Sequence, residues 1–139
     1  MLEEYYKYKV NRKKNILIIK CGNFYEVIDK DALIISRLFG YKISKLSDTF
    51  KCGFPIPSLD KVVDILNYNE INYAVIENNK IIVENSFDEN KYDDFKFNIN
   101  NIKYNFLRIS KITKYLNENA YQNINELLDS IEGSINERR

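Results

Sequence analysis

The stretch Cys21-Gly22-Asn23-Phe24-Tyr25-Glu26 sets an aromatic ring and a carboxylate two residues apart, directly after a turn-forming pair. Side chains alternate between faces along a strand, so Phe24 and Glu26 share one face and Tyr25 takes the other. A ring and an acceptor side by side on a protruding edge can wedge between stacked bases and hydrogen-bond the displaced one. Taken singly, Phe24 reads as a core aromatic and Glu26 as a solvated strand carboxylate. Their place beside a turn is what makes them candidates.

Other chemistry is poorly supplied. The chain has no histidine, which excludes Ser-His and Cys-His triads and removes the commonest zinc ligand. Cys21 and Cys52 form neither a CxxC pair nor a disulfide framework and read as small buried hydrophobes. Asp88-Glu89 and Asp93-Asp94 lack the DxDxDG spacing of a calcium loop and read as solvated loop. Neither a metal nor a cofactor is expected, and no activated nucleophile supports an enzyme. Eleven tyrosines and eight phenylalanines are scattered along apolar faces, which does not make a single-strand stacking platform.

Charge limits how nucleic acid would be held. The net charge is +1 over 139 residues, with Arg12-Lys13-Lys14 in an N-terminal region richer in base than acid. So balanced a chain should bind a polyanion weakly and in a salt-sensitive manner. It is 45% hydrophobic and 29% charged, ordinary for one soluble domain with a sizeable core. No run reaches the roughly 18 apolar residues of a membrane span, and the N-terminus is unlike a secretory signal, so cytoplasmic residence is expected.

The elements that must position the pair are legible in outline. Residues 2–10 suggest a short amphipathic helix. Ile16-Leu17-Ile18-Ile19 is a β-branched run suited to a buried strand, Gly22-Asn23 a two-residue hairpin loop, and Phe24 to Ile28 the return strand. Asp29 or Asp31 can cap a helix from Ala32 to Phe39 that stops at Gly40. Tyr41 to Leu46 reads as a strand, Ser47 to Gly53 as a loop, and Pro55 and Pro57 as breakers. Ser58 is a natural N-cap for a helix whose apolar face is Leu59, Val62, Val63 and Leu66. Tyr73 to Ile76 is a strand, Asn78-Asn79 a hairpin turn and Ile81 to Val83 its return. Residues 85–101 read as a loop or lid with a short strand at Phe95 to Phe97. Two helices follow, one carrying Ile102, Phe106, Ile109, Ile112 and Leu116, the other Ile124, Leu127, Leu128, Ile131 and Ile135, with Asn123 and Glu126 spaced as a capping box. The fold class is α/β with a mixed sheet flanked by helices, because two direct strand-to-strand links argue against an all-parallel sheet.

In this order the pieces resemble the N-terminal mismatch-recognition domain of the MutS family. The matching parts are Gly22-Asn23-Phe24-Tyr25-Glu26, Asp31-Ala32, Ser44-Lys45, Gly53-Phe54-Pro55 and Tyr73-Ala74-Val75-Ile76-Glu77-Asn78. The resemblance implies that Phe24 stacks on a mispaired base from the minor groove and Glu26 hydrogen-bonds that base. It also implies that Lys45, at the family's basic strand end, meets a phosphate, with Asn23 at the turn beside the wedge. Departures are Asn23 for the family's Asp, Leu46 for its Arg, and Phe50-Lys51-Cys52 for its Pro-Met-Ala. The chain ends at Arg139 and has no GxxxxGK(S/T) phosphate loop, so a stand-alone, non-catalytic module is expected, without connector, lever, clamp or ATPase domains. The expected layout is a MutS domain I-like domain at 1–101, with 102–139 as a helical extension packed on it. Double-stranded DNA is the expected partner, with a homodimer or protein partner through the closing helices. A protein-interaction or regulatory module that keeps the fold without binding DNA is the alternative.

Overall fold

The computed structural model describes all residues from Met1 to Arg139. In chain order the elements are α1 (Leu2–Lys9), β1 (Ile16–Cys21), β2 (Phe24–Ile28), α2 (Asp29–Phe39), β3 (Ile43–Leu46), β4 (Thr49–Pro55), α3 (Leu59–Tyr68), β5 (Tyr73–Glu77), β6 (Lys80–Asn85), α4 (Ile99–Glu118) and α5 (Asn125–Glu137). Short 3-10 turns cover Ile56–Ser58 and Lys91–Asp94. No helix is long and apolar enough to cross a membrane.

The six strands form one mixed sheet in the order β3-β4-β2-β1-β5-β6. β1 and β5 are parallel neighbours inside the sheet, and the other neighbours are antiparallel. Both strands of the parallel pair are apolar along most of their length, as strands covered on two faces must be. α1 seals one face, where Tyr5 joins Leu17, Ile19, Ile28, Ala74 and Ile76 in a buried cluster. The opposite face carries Tyr25, Val27 and Phe54, and the helices that follow β2 and β4 bury Ile34 and Ile35 of α2 and Val62 and Leu66 of α3.

A buried carboxylate ties these layers together. Asp31 is fully buried and accepts from Tyr5 Oη at 2.6 Å, Tyr92 Oη at 2.7 Å, Lys9 Nζ at 3.0 Å and the Leu17 amide at 3.1 Å. One side chain thus joins α1, β1, α2 and the turn at 91–94. Buried charge is tolerated because it is paired and its lone pairs are filled.

Several local expectations give way. Ser47 to Gly53 is not a loop: Thr49–Pro55 is a strand, with Phe50, Cys52 and Phe54 buried in alternation between β3 and β2. Neither Asp29 nor Asp31 caps α2; both lie in its first turn, Ile28 holds the cap position, and Asp31 turns inward. Ser58 sits at the N-cap of α3 but its hydroxyl makes no cap bond, since a 3-10 turn leads into the helix. No strand forms at Phe95 to Phe97. Arg37 instead lies over the Phe97 ring at 4.4 Å. Residues 85–101 are a strap rather than a lid. Asn90 bonds the Asn72 amide and the Lys14 carbonyl, and Tyr92 is buried. The Asn123–Glu126 capping box is absent: Asn123 accepts from the Asn125 amide, and α5 begins after Ile124.

The chain divides into two compact units, Met1–Lys103 and Tyr104–Arg139. The second contains most of α4 and all of α5, neither of which has a fully buried residue.

Candidate nucleic-acid interface

The candidate residues sit at the β1–β2 hairpin. Cys21 pairs with Phe24 across a two-residue loop. Gly22 takes φ 61° and Asn23 stays at negative φ, the sign pattern of a turn with glycine first. Hence only Gly22 needs left-handed freedom, whereas the β5–β6 turn uses it at both Asn78 and Asn79. The Asn23 carbonyl accepts from the Ile56 amide at 3.4 Å, tying the loop to the end of β4.

Phe24 is 51% exposed at the start of β2. Tyr25 is buried on the other face, its ring 5.8 Å from that of Phe54, and its hydroxyl donates to Glu77. Burial, then the Glu77 hydrogen bond, pushes the Tyr25 phenol up to about 12. Glu77 therefore anchors Tyr25, and Tyr25 holds the backbone from which Phe24 projects.

Glu26 shares the Phe24 face, as strand alternation requires. It lies opposite Gly53 of β4 and Ile19 of β1. Its Oε1 accepts from Lys51 Nζ at 2.8 Å, with the Glu26 side chain only 15% exposed. Cys21, half-buried on this face, has its thiol pushed up first by burial and then by the Glu26 charge.

The candidates are not all gathered together. Phe24, Glu26 and Asn23 are neighbours. Lys45 is exposed on the edge strand β3 and pairs with Phe50, on the sheet face opposite Phe24 and Glu26. The cation beside Glu26 is Lys51, which was not among the sequence candidates. Its only signal there was a charge within an alternating apolar run, and cross-strand register is needed to place it next to Glu26. Arg12 and Lys14 are engaged in ion pairs with Glu84 and Asp93. No group of three or more Cys, Asp or Glu side chains converges to hold a metal ion.

A mixed sheet layered between helices, with a hairpin that carries an exposed ring and a carboxylate on one face, is an α/β domain of the kind the sequence resembles. Residues 1–102 match the family described as MutS domain I, and the chain belongs to that family. It is similar to the DNA mismatch repair protein MutS of Salinibacter ruber, 33% identical over 82 residues, covering 55% of this chain and 9% of that protein. It is also similar to the MutS of Fervidobacterium nodosum, 34% identical over 68 residues, covering 46% of this chain and 8% of that protein. The MutS of Orientia tsutsugamushi is 30% identical over 82 residues, again covering 55% and 9%. The chain thus spans less than a tenth of the length of these relatives.

Proposed function

We propose that this chain is a non-catalytic DNA-recognition module working in the cytoplasm, which probes duplex DNA from the minor groove with Phe24 and Glu26. The observation that carries this reading is the exposed Phe24 ring on a hairpin braced from behind by Tyr25 and Glu77, with Glu26 on the same face. Unstacking a base step costs a few kcal/mol, least where pairing is already weak, so a rigid wedge selects mismatched or deformable steps. A carboxylate near phosphates lowers general affinity, so Glu26 acts in discrimination between bases. Lys45, exposed at the sheet edge, is assigned a phosphate contact, and Asn23 the backbone beside the wedge. With a net charge of +1, affinity is low and falls with salt.

Fluorescence anisotropy with mismatched and matched duplexes at low salt tests this. Stacking of a base on an aromatic ring is worth about 1–3 kcal/mol, so Phe24→Ala should weaken mismatch binding by roughly 5- to 150-fold. Equal, negligible binding to both duplexes, unchanged by Phe24→Ala, would refute the assignment.

A second reading concerns the unit from Tyr104 to Arg139, which we assign to pairing with a second copy of itself. Ile112, Tyr115 and Leu116 of α4 and Leu127 and Ile131 of α5 line an open apolar cleft of about 530 Å³. α4 carries Arg108, Lys111 and Lys114 against Glu118, while α5 carries Glu126, Asp129, Glu132 and Glu137. Two-fold packing that sets α4 of each copy on α5 of the other brings basic to acidic helix twice and covers both clefts. Light scattering after size exclusion should report a dimer that Ile112→Asp dissociates; a monomer at high micromolar concentration speaks against it.

A further inference from the structure

Glu26 is not a freely available acceptor. Lys51 lies opposite Ile28 and Gly53 opposite Glu26, so Lys51 and Glu26 are diagonal neighbours on one face of adjacent strands. Gly53 adds no side chain between them; a Cβ there would stand 3.7 Å from Glu26 Cγ. The Glu26 side chain lies in that space, and Lys51 Nζ closes on its Oε1 at 2.8 Å. The two side chains are 15% and 30% exposed, so the pair is partly shielded from water and salt. The half-buried Cys21 thiol on this face feels the Glu26 charge together with those of the N-terminal amine, Glu4 and Lys51. The lysine engages Oε1; a carboxylate has a second oxygen with acceptor capacity of its own, here Oε2.

We propose that Lys51 is a positioning residue for base discrimination: it fixes the Glu26 carboxylate beside the Phe24 ring and offsets its charge, so that Oε2 can accept from a displaced base next to the phosphates. This rests on the DNA-recognition reading above. Without Lys51 the carboxylate would carry its full charge towards the DNA backbone and lose the contact that holds its rotamer. Loss of one partner from a shielded pair leaves the other uncompensated. Lys51 therefore acts through Glu26, unlike a lysine that simply touches phosphate, whose removal weakens binding whatever stands at position 26.

A double-mutant cycle separates the two roles. Binding of mismatched and matched duplexes is measured for the wild type, Lys51→Met, Glu26→Gln, the double variant and Lys51→Arg, with circular dichroism confirming the fold. Lys51→Met should weaken mismatch binding about tenfold and shrink the preference for mismatched over matched duplex. In the Glu26→Gln background the same change should cost less than about twofold, and Lys51→Arg should restore most of the binding. An equal loss in both backgrounds, or unchanged discrimination in Lys51→Met, overturns the proposal while the DNA reading stands. A Phe24→Ala variant in the same series monitors that reading: if the wild type binds neither duplex, or Phe24→Ala changes nothing, both fall.

Discussion

Asp31 offers the sharpest test of what holds the unit Met1–Lys103 together. Asp31→Ala removes the acceptor of four donors in one step. Two of these keep another partner: Tyr5 Oη still donates to the Ile28 carbonyl at 3.1 Å, and Lys9 Nζ to the Asn15 carbonyl at 2.5 Å. The Leu17 amide and the Tyr92 hydroxyl hydrogen do not, and each buried orphan donor costs about 1–3 kcal/mol. Lys9 also loses its only buried counter-charge. Together these give a loss of about 3–5 kcal/mol, the range for breaking a buried ion pair from one side. A domain of this size has about 5–15 kcal/mol in total, so a large share of its stability goes. Urea unfolding followed by circular dichroism should show the midpoint falling with the slope unchanged, and Asp31→Asn should fall between wild type and Asp31→Ala. Glu84→Ala, which breaks the more exposed Arg12 pair, is the control and should cost about 1 kcal/mol or less. If Asp31→Ala costs no more than that control, Asp31 does not hold the layers together.

Alkaline titration tests the phenols that donate to carboxylates: the exposed Tyr6 and the buried Tyr25 are pushed up to about 12 by partial desolvation, then by Asp29 and Glu77, and the buried Tyr5 and Tyr92 still further by burial and Asp31. An unfolded phenol ionises near 10, so this stability is complete below about pH 10 and is lost as pH rises towards 12; phenolate absorbance should lag for these four residues and appear together with loss of the circular dichroism signal, and full ionisation of all tyrosines near 10 with the fold intact would refute it. Thiol labelling should distinguish the cysteines, because Cys52 is fully buried with its thiol pushed up to about 11, while Cys21 is only half-buried. A disulfide reagent at mildly alkaline pH should modify one thiol of the native protein, lost in Cys21→Ser, and the second only after unfolding; equal rates at both sites would contradict the packing.

The hairpin and its cargo were legible because they depend on neighbours in the chain. Ile16 to Ile19 is apolar and β-branched, Gly22 supplies the positive φ, and a period of two places Phe24 with Glu26 and sends Tyr25 inward. The α3 face and the Asn78-Asn79 turn followed from the same local rules. The order of motifs identified the family before any coordinate did.

Tertiary structure decided what distance along the chain conceals. Thr49–Pro55 becomes a strand because β2 and β3 offer it ladders on both sides, although its Gly, Pro and lysine content reads as loop. Asp31 abandons a capping role because Tyr5, Lys9, Leu17 and Tyr92 converge on it from distant segments. Lys51 meets Glu26, and Lys45 falls on the other face, through strand register alone, which a slip of one residue would reverse. Periodicity and turn chemistry are properties of adjacent residues and can be read directly. Pairing register and buried charge networks arise only when remote segments exclude water together, so they belong to the folded chain.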